Sequence, residues 1–225
     1  MNMGTGARRL MRLGTGILAL VVATAAPATS AAAVTQEEIL GDVDTAESAV
    51  DEFWDDHWSE FFSDSYDSPN VVGVFDGTDP DSTPTCGGVP LVVDNAYYCG
   101  LGDFLAYDVR LLGRSETLGD AFLYLVVAHE WGHAIQARLD ASLVDNRLEL
   151  QADCLAGAAI YGAARDETLR FEPEDQRELA NALSTVADDT PWTSIGDHGN
   201  AAERVASFNL GRNDGVAGCL PATTG

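Results

Sequence analysis

The sequence predicts an α+β fold, mainly helical, with a small β-sheet placed ahead of a central helix. Three observations carry this expectation. Four short strand-like runs cluster between residues 71 and 109, broken by Gly-, Asp- and Pro-rich turns. They precede an apolar run, Ala121 to Ala128, whose helical spacing continues to Gln136. An Ala- and Gly-rich segment, residues 146–164, then supplies the small side chains that let two helices pack closely.

In chain order, residues 1–33 read as a secretory signal peptide. Arg8, Arg9 and Arg12 precede the apolar stretch Ile17 to Ala26, and the small residues Ala31, Ala32 and Ala33 follow. The uncharged run from Leu13 to Pro27 falls short of the ~20 apolar residues that span a membrane, so an uncleaved anchor is the second reading. Residues 34–43 read as a linker and 44–225 as one domain with room for a sizeable core. A first helix starts at Asp44 or Thr45, with Val50, Trp54, Trp58 and Phe61 on one face. His57 lies beside that stripe with no carboxylate at ligand spacing, and reads as a packed side chain. The acidic segment Ser63 to Asn70 contains Pro69 and reads as a loop.

The expected strands are Val71–Phe75, Leu91–Val93, Ala96–Cys99 and Phe104–Val109. Thr117 and Asp120 fit a capping-box variant ahead of the central helix. Asp145 or Asn146 opens a second helix that runs through Ala164. Pro173 begins another through Ala187, and Asn200 with Glu203 caps a last one through Leu210, stopped by Gly211.

The chemistry is concentrated in Ala128 to Ala134, where His129, Glu130 and His133 form a His-Glu-x-x-His motif. With 4 histidines and 13 glutamates in 225 residues, chance places such a motif roughly 0.004 times in a chain. On a helix, residues four apart share a face, so both imidazoles can bind one Zn2+ ion, with Glu130 beside it as a base for water. Two histidines merely packed in a core would leave Glu130 buried without a partner, which costs several kcal/mol. A catalytic zinc site needs a third protein ligand and an open position. Glu149 is the best candidate, and Asp153, four residues on, can accept a hydrogen bond from the outer nitrogen of His129 or His133. The competing reading is a solvated carboxylate pair on a helix surface.

The motif, followed by Glu-Leu-Gln-Ala-Asp-Cys-Leu-Ala-Gly at 149–157, resembles the bacterial putative neutral zinc metallopeptidases and, more broadly, the gluzincins. The resemblance runs from about Trp54 to Cys219, including Tyr97-Tyr98-Cys99 and His198-Gly199 through Arg204. It implies a zincin-like fold, His129, His133 and Glu149 as zinc ligands, and Glu130 as general base. It also implies a sheet-edge strand that pairs with substrate, placed by the resemblance at Asp103 to Val109; an ordinary covered strand is the alternative. After Arg204 the chain has Val205 to Leu210 where the family has a longer aromatic and basic segment, so substrate preference is not carried over.

His198 is flanked by Gly196 and Gly199 just before a helix N-terminus. There it could donate to the oxyanion of peptide hydrolysis, with Asp197 supporting a protonated ring. Alternatives are a hydrogen bond from loop to core and direct zinc ligation. Four cysteines in an exported chain point to disulfides in one of three connectivities. The expected pairs are Cys86 with Cys99, closing a short loop, and Cys154 with Cys219, tying the tail to the ligand helix. Cys154 as a zinc ligand is disfavoured, because a thiolate would close the open position.

The chain has no lysine and 12 arginines against 36 acidic residues, for a net charge of −24. The leader holds three of those arginines and no acid, so the remainder carries nine against 36, a net −27. Such a field repels nucleic acid and anionic membranes. It suits a peptide or protein substrate, cationic ones included, although a solvated surface for an extracellular medium is the simpler reading. Membrane contact is expected only through an uncleaved N-terminal segment. The function expected is a secreted zinc-dependent peptidase. A zinc hydrolase of another specificity (an aminopeptidase or one acting on a non-peptide amide) and a non-enzymatic zinc-bearing interaction protein are the alternatives.

Overall fold

Thr35 opens the first helix, α1 (Gln36–Phe61), in a computed structural model that describes residues 35–221. Its hydroxyl accepts from the Glu38 backbone N–H at 3.2 Å, and the Glu38 carboxylate accepts from the Thr35 N–H at 2.7 Å, a reciprocal capping box. The stretch expected as a linker, 34–43, is therefore helical from Gln36 onward. Ile39, Val43 and Ala46 are buried and extend the stripe of Val50, Trp54 and Trp58 toward the N-terminus at helical spacing. The signal peptide expected at 1–33 lies outside the described residues. Among the described ones, no helix is long and apolar enough to cross a membrane.

His57 has two carboxylate partners: Glu60, one helical turn on, which the sequence reading passed over, and Asp166, far along the chain. Nδ1 lies 2.8 Å from Glu60 and Nε2 2.9 Å from Asp166, so the ring joins α1 to the end of a later helix. Burial opposes charge on this ring, but the two carboxylates outweigh it and raise the pKa.

Five strands follow: β1 (Asn70–Phe75), β2 (Thr85–Cys86), β3 (Val89–Pro90), β4 (Ala96–Cys99) and β5 (Phe104–Asp108). β2 and β3 form a two-stranded hairpin, and the Cys86–Cys99 disulfide ties it to β4. The run Leu91–Val93, expected as a strand, is not one: the Val92 N–H donates to the Tyr97 hydroxyl at 3.0 Å instead of to a ladder. The three-stranded sheet has the order β1-β5-β4, with β1 parallel and β4 antiparallel to β5. β5 is thus the central strand, so Asp103 to Val109 cannot be the open edge, and β4 is an edge instead. β5 also stops one residue earlier than expected. Asp108 is fully buried and accepts from the N–H groups of Gly77, Asp94 and Arg110 at 2.8, 2.9 and 3.0 Å, and so caps the short helix α2 (Val109–Leu112).

A second short helix, α3 (Ser115–Leu118), leads into α4 (Ala121–Arg138), the centre of the molecule. The capping box expected there is absent. Thr117 turns back to donate to the Arg114 carbonyl at 3.1 Å, and Asp120 caps Ala121 without a reciprocal partner. Phe122, Leu123, Leu125, Val127, Ala128, Trp131, Ala134 and Ile135 are buried, so α4 is apolar almost all round, as an enclosed helix must be. Arg138 fixes its far end by donating to both oxygens of Asp103 at 3.0 and 2.9 Å and to the Asp67 carbonyl at 2.6 Å.

Three helices complete the fold: α5 (Leu148–Arg165), α6 (Asp175–Thr185) and α7 (Ala201–Cys219). Each begins or ends within a few residues of expectation except the last. The Asn200–Glu203 capping box is present, but α7 runs on past Gly211 to Asp214, and after a kink at Gly215 (φ 65°, ψ −161°) a last turn reaches Cys219. Gly211 is a contact point and not a stop. A Cβ there would lie 1.8 Å from the Cys154 carbonyl oxygen on α5, and one at Gly157 would lie 2.1 Å from the Phe208 carbonyl on α7. The Cys154–Cys219 disulfide joins the same two helices. Gly211→Ala is expected to lower stability by about 1–3 kcal/mol or more through overpacking, measured by chemical denaturation. An unchanged midpoint would mean that α5 and α7 are free to move apart.

Candidate metal centre

The α4–α5 crossing brings the sequence-predicted residues together. At Gly132, between the two histidines, a Cβ would sit 2.8 Å from the Ala152 carbonyl, so only glycine allows this approach. Glu149, at the start of α5, then reaches across to α4. Its Oε2 lies 3.1 Å from His129 Nε2 and 3.4 Å from His133 Nε2. Among the described residues these three offer ligand atoms within 4.8 Å of one another.

The opposite ring nitrogens are also engaged. His129 Nδ1 donates to Asp153 Oδ1 at 2.9 Å, and His133 Nδ1 donates to Gln136 Oε1 at 2.8 Å. With each Nδ1 directed at its own acceptor, each Nε2 is left to face Glu149, and it is the nitrogen that a metal would take. Asp153 is fully buried and is held in turn by Arg204, whose Nε and Nη2 donate at 2.8 and 2.7 Å. Arg204 Nη1 donates to the Val186 carbonyl at 2.9 Å, linking α7 to the end of α6. On the other side, Gln136 donates to the Leu148 carbonyl at 2.7 Å and to Gln151 at 3.1 Å, and Gln151 donates to the Cys219 carbonyl at 3.1 Å.

The buried carboxylates and the two rings stabilise one another's charge at the meeting point. Burial alone would raise the pKa of Glu149, yet its contacts with His129 and His133 hold the carboxyl well below the usual range. Burial likewise opposes charge on His129, yet Asp153 and Glu149 outweigh it and raise the pKa. Two imidazole nitrogens and one carboxylate oxygen are a donor set that fits zinc.

Glu130 and His198 both line the cleft over this cluster. His198 is 48% exposed, and its Nε2 lies 3.7 Å from Glu149 Oε2. The acid facing His198 Nδ1 is Asp188, at 3.7 Å, and not Asp197. Asp197 accepts from Thr193 and Ser194 and closes its own turn. Asp188 also accepts from the His198 N–H at 2.8 Å, a contact across ten residues that no local pattern announces.

β4 forms the opposite wall. The Asp108 N–H donates to the Asn95 carbonyl at 2.9 Å, which sets the antiparallel alternation. Residues 97 and 99 therefore point their backbone groups at β5, while Ala96 and Tyr98 point theirs to the open edge. Sequence reading missed this wall, as well as the roles of Gln136, Arg204 and Asp188. Gln136 was legible as a residue on the motif's face, three residues from His133, whose ring it holds, but its contacts with Leu148 and Gln151 were not; Arg204 was legible only as an arginine one turn into a capped helix, with its partners far away in sequence.

A family model described as putative neutral zinc metallopeptidase matches residues 3–218. No curated protein and no solved structure matches the chain. Asp153→Ala is expected to weaken zinc binding by about 10–100-fold in chelator competition. It should also lower stability by about 3–5 kcal/mol, because Arg204 would be left buried and unpaired. Unchanged zinc affinity would mean that His129 orientation does not depend on Asp153.

Proposed function

The chain belongs to the putative neutral zinc metallopeptidase family, and from that premise we propose that it is a secreted zinc-dependent peptidase. His129, His133 and Glu149 hold the ion, and the observation that carries the reading is the convergence of their three ligand atoms beneath Glu130. A bound zinc ion supplies Lewis acidity, polarising a carbonyl and making water a nucleophile near neutral pH.

The protein's own groups do the rest. The substrate backbone lies along β4, where the free N–H and C=O groups of Ala96 and Tyr98 pair with it and hold the scissile carbonyl over the site. Glu130 accepts the proton of the attacking water and passes it to the leaving amine. His198 donates to the carbonyl oxygen as charge develops there, and Asp188 faces its Nδ1 at 3.7 Å. Asp153 with Arg204, and Gln136, keep the two ligand imidazoles from turning.

The two disulfides support an extracytoplasmic location, as does the leader pattern at 1–33. The partner is a peptide or protein and not nucleic acid, in keeping with the acidic surface. A non-enzymatic zinc protein would have no use for a carboxylate standing free in the cleft, which Glu130 does.

Glu130→Gln should bind zinc at wild-type stoichiometry while hydrolysis falls by about 10²–10⁴-fold, read from metal analysis and peptide cleavage together. Full activity in that variant would contradict the mechanism. His198→Ala should keep zinc content and melting temperature and lose about 10²–10³-fold in kcat/KM. A variant that melts early but cleaves normally once folded would assign His198 to structure alone.

A further inference from the structure

We infer that the cleft accepts an internal stretch of an extended peptide chain and selects a bulky apolar side chain beside the scissile bond. This rests on the peptidase reading above and adds where the cut falls and what flanks it.

One compartment abuts the metal centre directly. It is a cavity of about 230 Å³ with His129 and Glu130 at its inner end and Leu111, Phe122, Leu125, Val126 and Val186 among its walls. A dry cavity of roughly 150 Å³ holds a benzene ring, so this one admits a leucine or phenylalanine side chain. Apart from Glu130 and His198, which face the reacting bond, its charged groups are matched. Arg114 pairs with Asp94 at 2.5 Å at the rim, and Arg204 with Asp153. A charged substrate side chain placed against the apolar walls would lose its water there, and Asp94, Arg114 and Arg204 already have partners, so an apolar side chain is favoured.

On the far side of the metal the cleft continues. Gln136 and Leu148 belong both to the central compartment and to a more open hollow of about 470 Å³, where Leu139, Val144 and Ile195 form apolar walls. Ile195 is 73% exposed, on the loop that also carries His198. This hollow touches neither histidine ligand nor Glu130, so it meets a residue further along the substrate and selects less strongly.

The cleft therefore leads away from the metal in both directions. An aminopeptidase needs an acid free to hold the terminal ammonium, and a carboxypeptidase a cation for the terminal carboxylate. Among the described residues lining the two outer compartments, Asp94 is paired with Arg114, and Asp145 accepts from the Arg147 N–H at 2.8 Å and pairs with its guanidinium. An unpaired edge at β4 together with a groove open at both ends suits a chain that passes through.

The test uses zinc-loaded protein and a library of peptides blocked at both termini, with cut sites read by mass spectrometry. Internal cleavage is expected, with Leu and Phe preferred about tenfold or more over Ala, Asp and Lys at one position next to the cut. Val126→Phe, and independently Val186→Phe from the opposite wall, should shift that preference about tenfold toward Ala. Cleavage confined to peptides with a free terminus, or a flat preference, would overturn the inference. Binding of the same blocked peptides to zinc-loaded Glu130→Gln separates the two readings. Leu and Phe peptides binding about tenfold tighter than Asp or Lys peptides, without turnover by the wild type, would retain the pocket and reject the peptidase. Equal binding across the set would reject the pocket.

Discussion

Everything at the candidate centre depends on the hydrogen bond between His129 Nδ1 and Asp153. It sets the tautomer, aims Nε2 at Glu149, and connects the α4 ligand to a buried ion pair that α7 completes through Arg204. A buried carboxylate is costly unless its lone pairs are filled. Asp153 is acceptable in the core because His129 and Arg204 both donate to it. The same arrangement makes the centre a product of three helices, so the ligands cannot be ordered before α5 and α7 have docked.

That docking is made possible by residues with no side chain. Gly132 lets α5 approach α4 closely enough for Glu149 to reach both histidines, and Gly157 and Gly211 let α7 approach α5 closely enough for Arg204 to reach Asp153. The Cys154–Cys219 disulfide holds the second of these crossings. Sheet and helix are tied separately: Arg138 on α4 and Tyr98 on β4 share Asp103, which sets the spacing between the motif and the edge strand. The cleft is thus the gap between the sheet edge and the helices, with β4 backbone on one wall and the side chains of the candidate centre on the other.

Glu149 on a second helix was reached through the need for a third ligand and the resemblance at 149–157, whereas local patterns made the motif helix legible, because i, i+4 spacing on a helix is geometry that sequence carries directly. The capping box at Asn200 was legible for the same reason, and the equivalent pair at Thr35 and Glu38 could have been read in the same way. Strand order was not legible. Whether Ala96–Cys99 or Phe104–Asp108 lies at the edge depends on where β1 pairs, and that is decided some thirty residues away. Gly211 was misread because glycine serves both as a helix stop and as a close-packing contact, and only the partner on α5 distinguishes the two. Asp188 displaced Asp197 as the neighbour of His198 because a loop, unlike a helix, has no period from which to infer direction.

The central claim is that two imidazoles and one carboxylate from α4 and α5 hold a single zinc ion. X-ray absorption at the zinc edge of the loaded protein tests this most directly. The account predicts one zinc per chain, a first shell of nitrogen and oxygen alone at about 2.0–2.2 Å, and outer scattering from two imidazoles. A sulfur neighbour at about 2.3 Å, or a single imidazole, would contradict it.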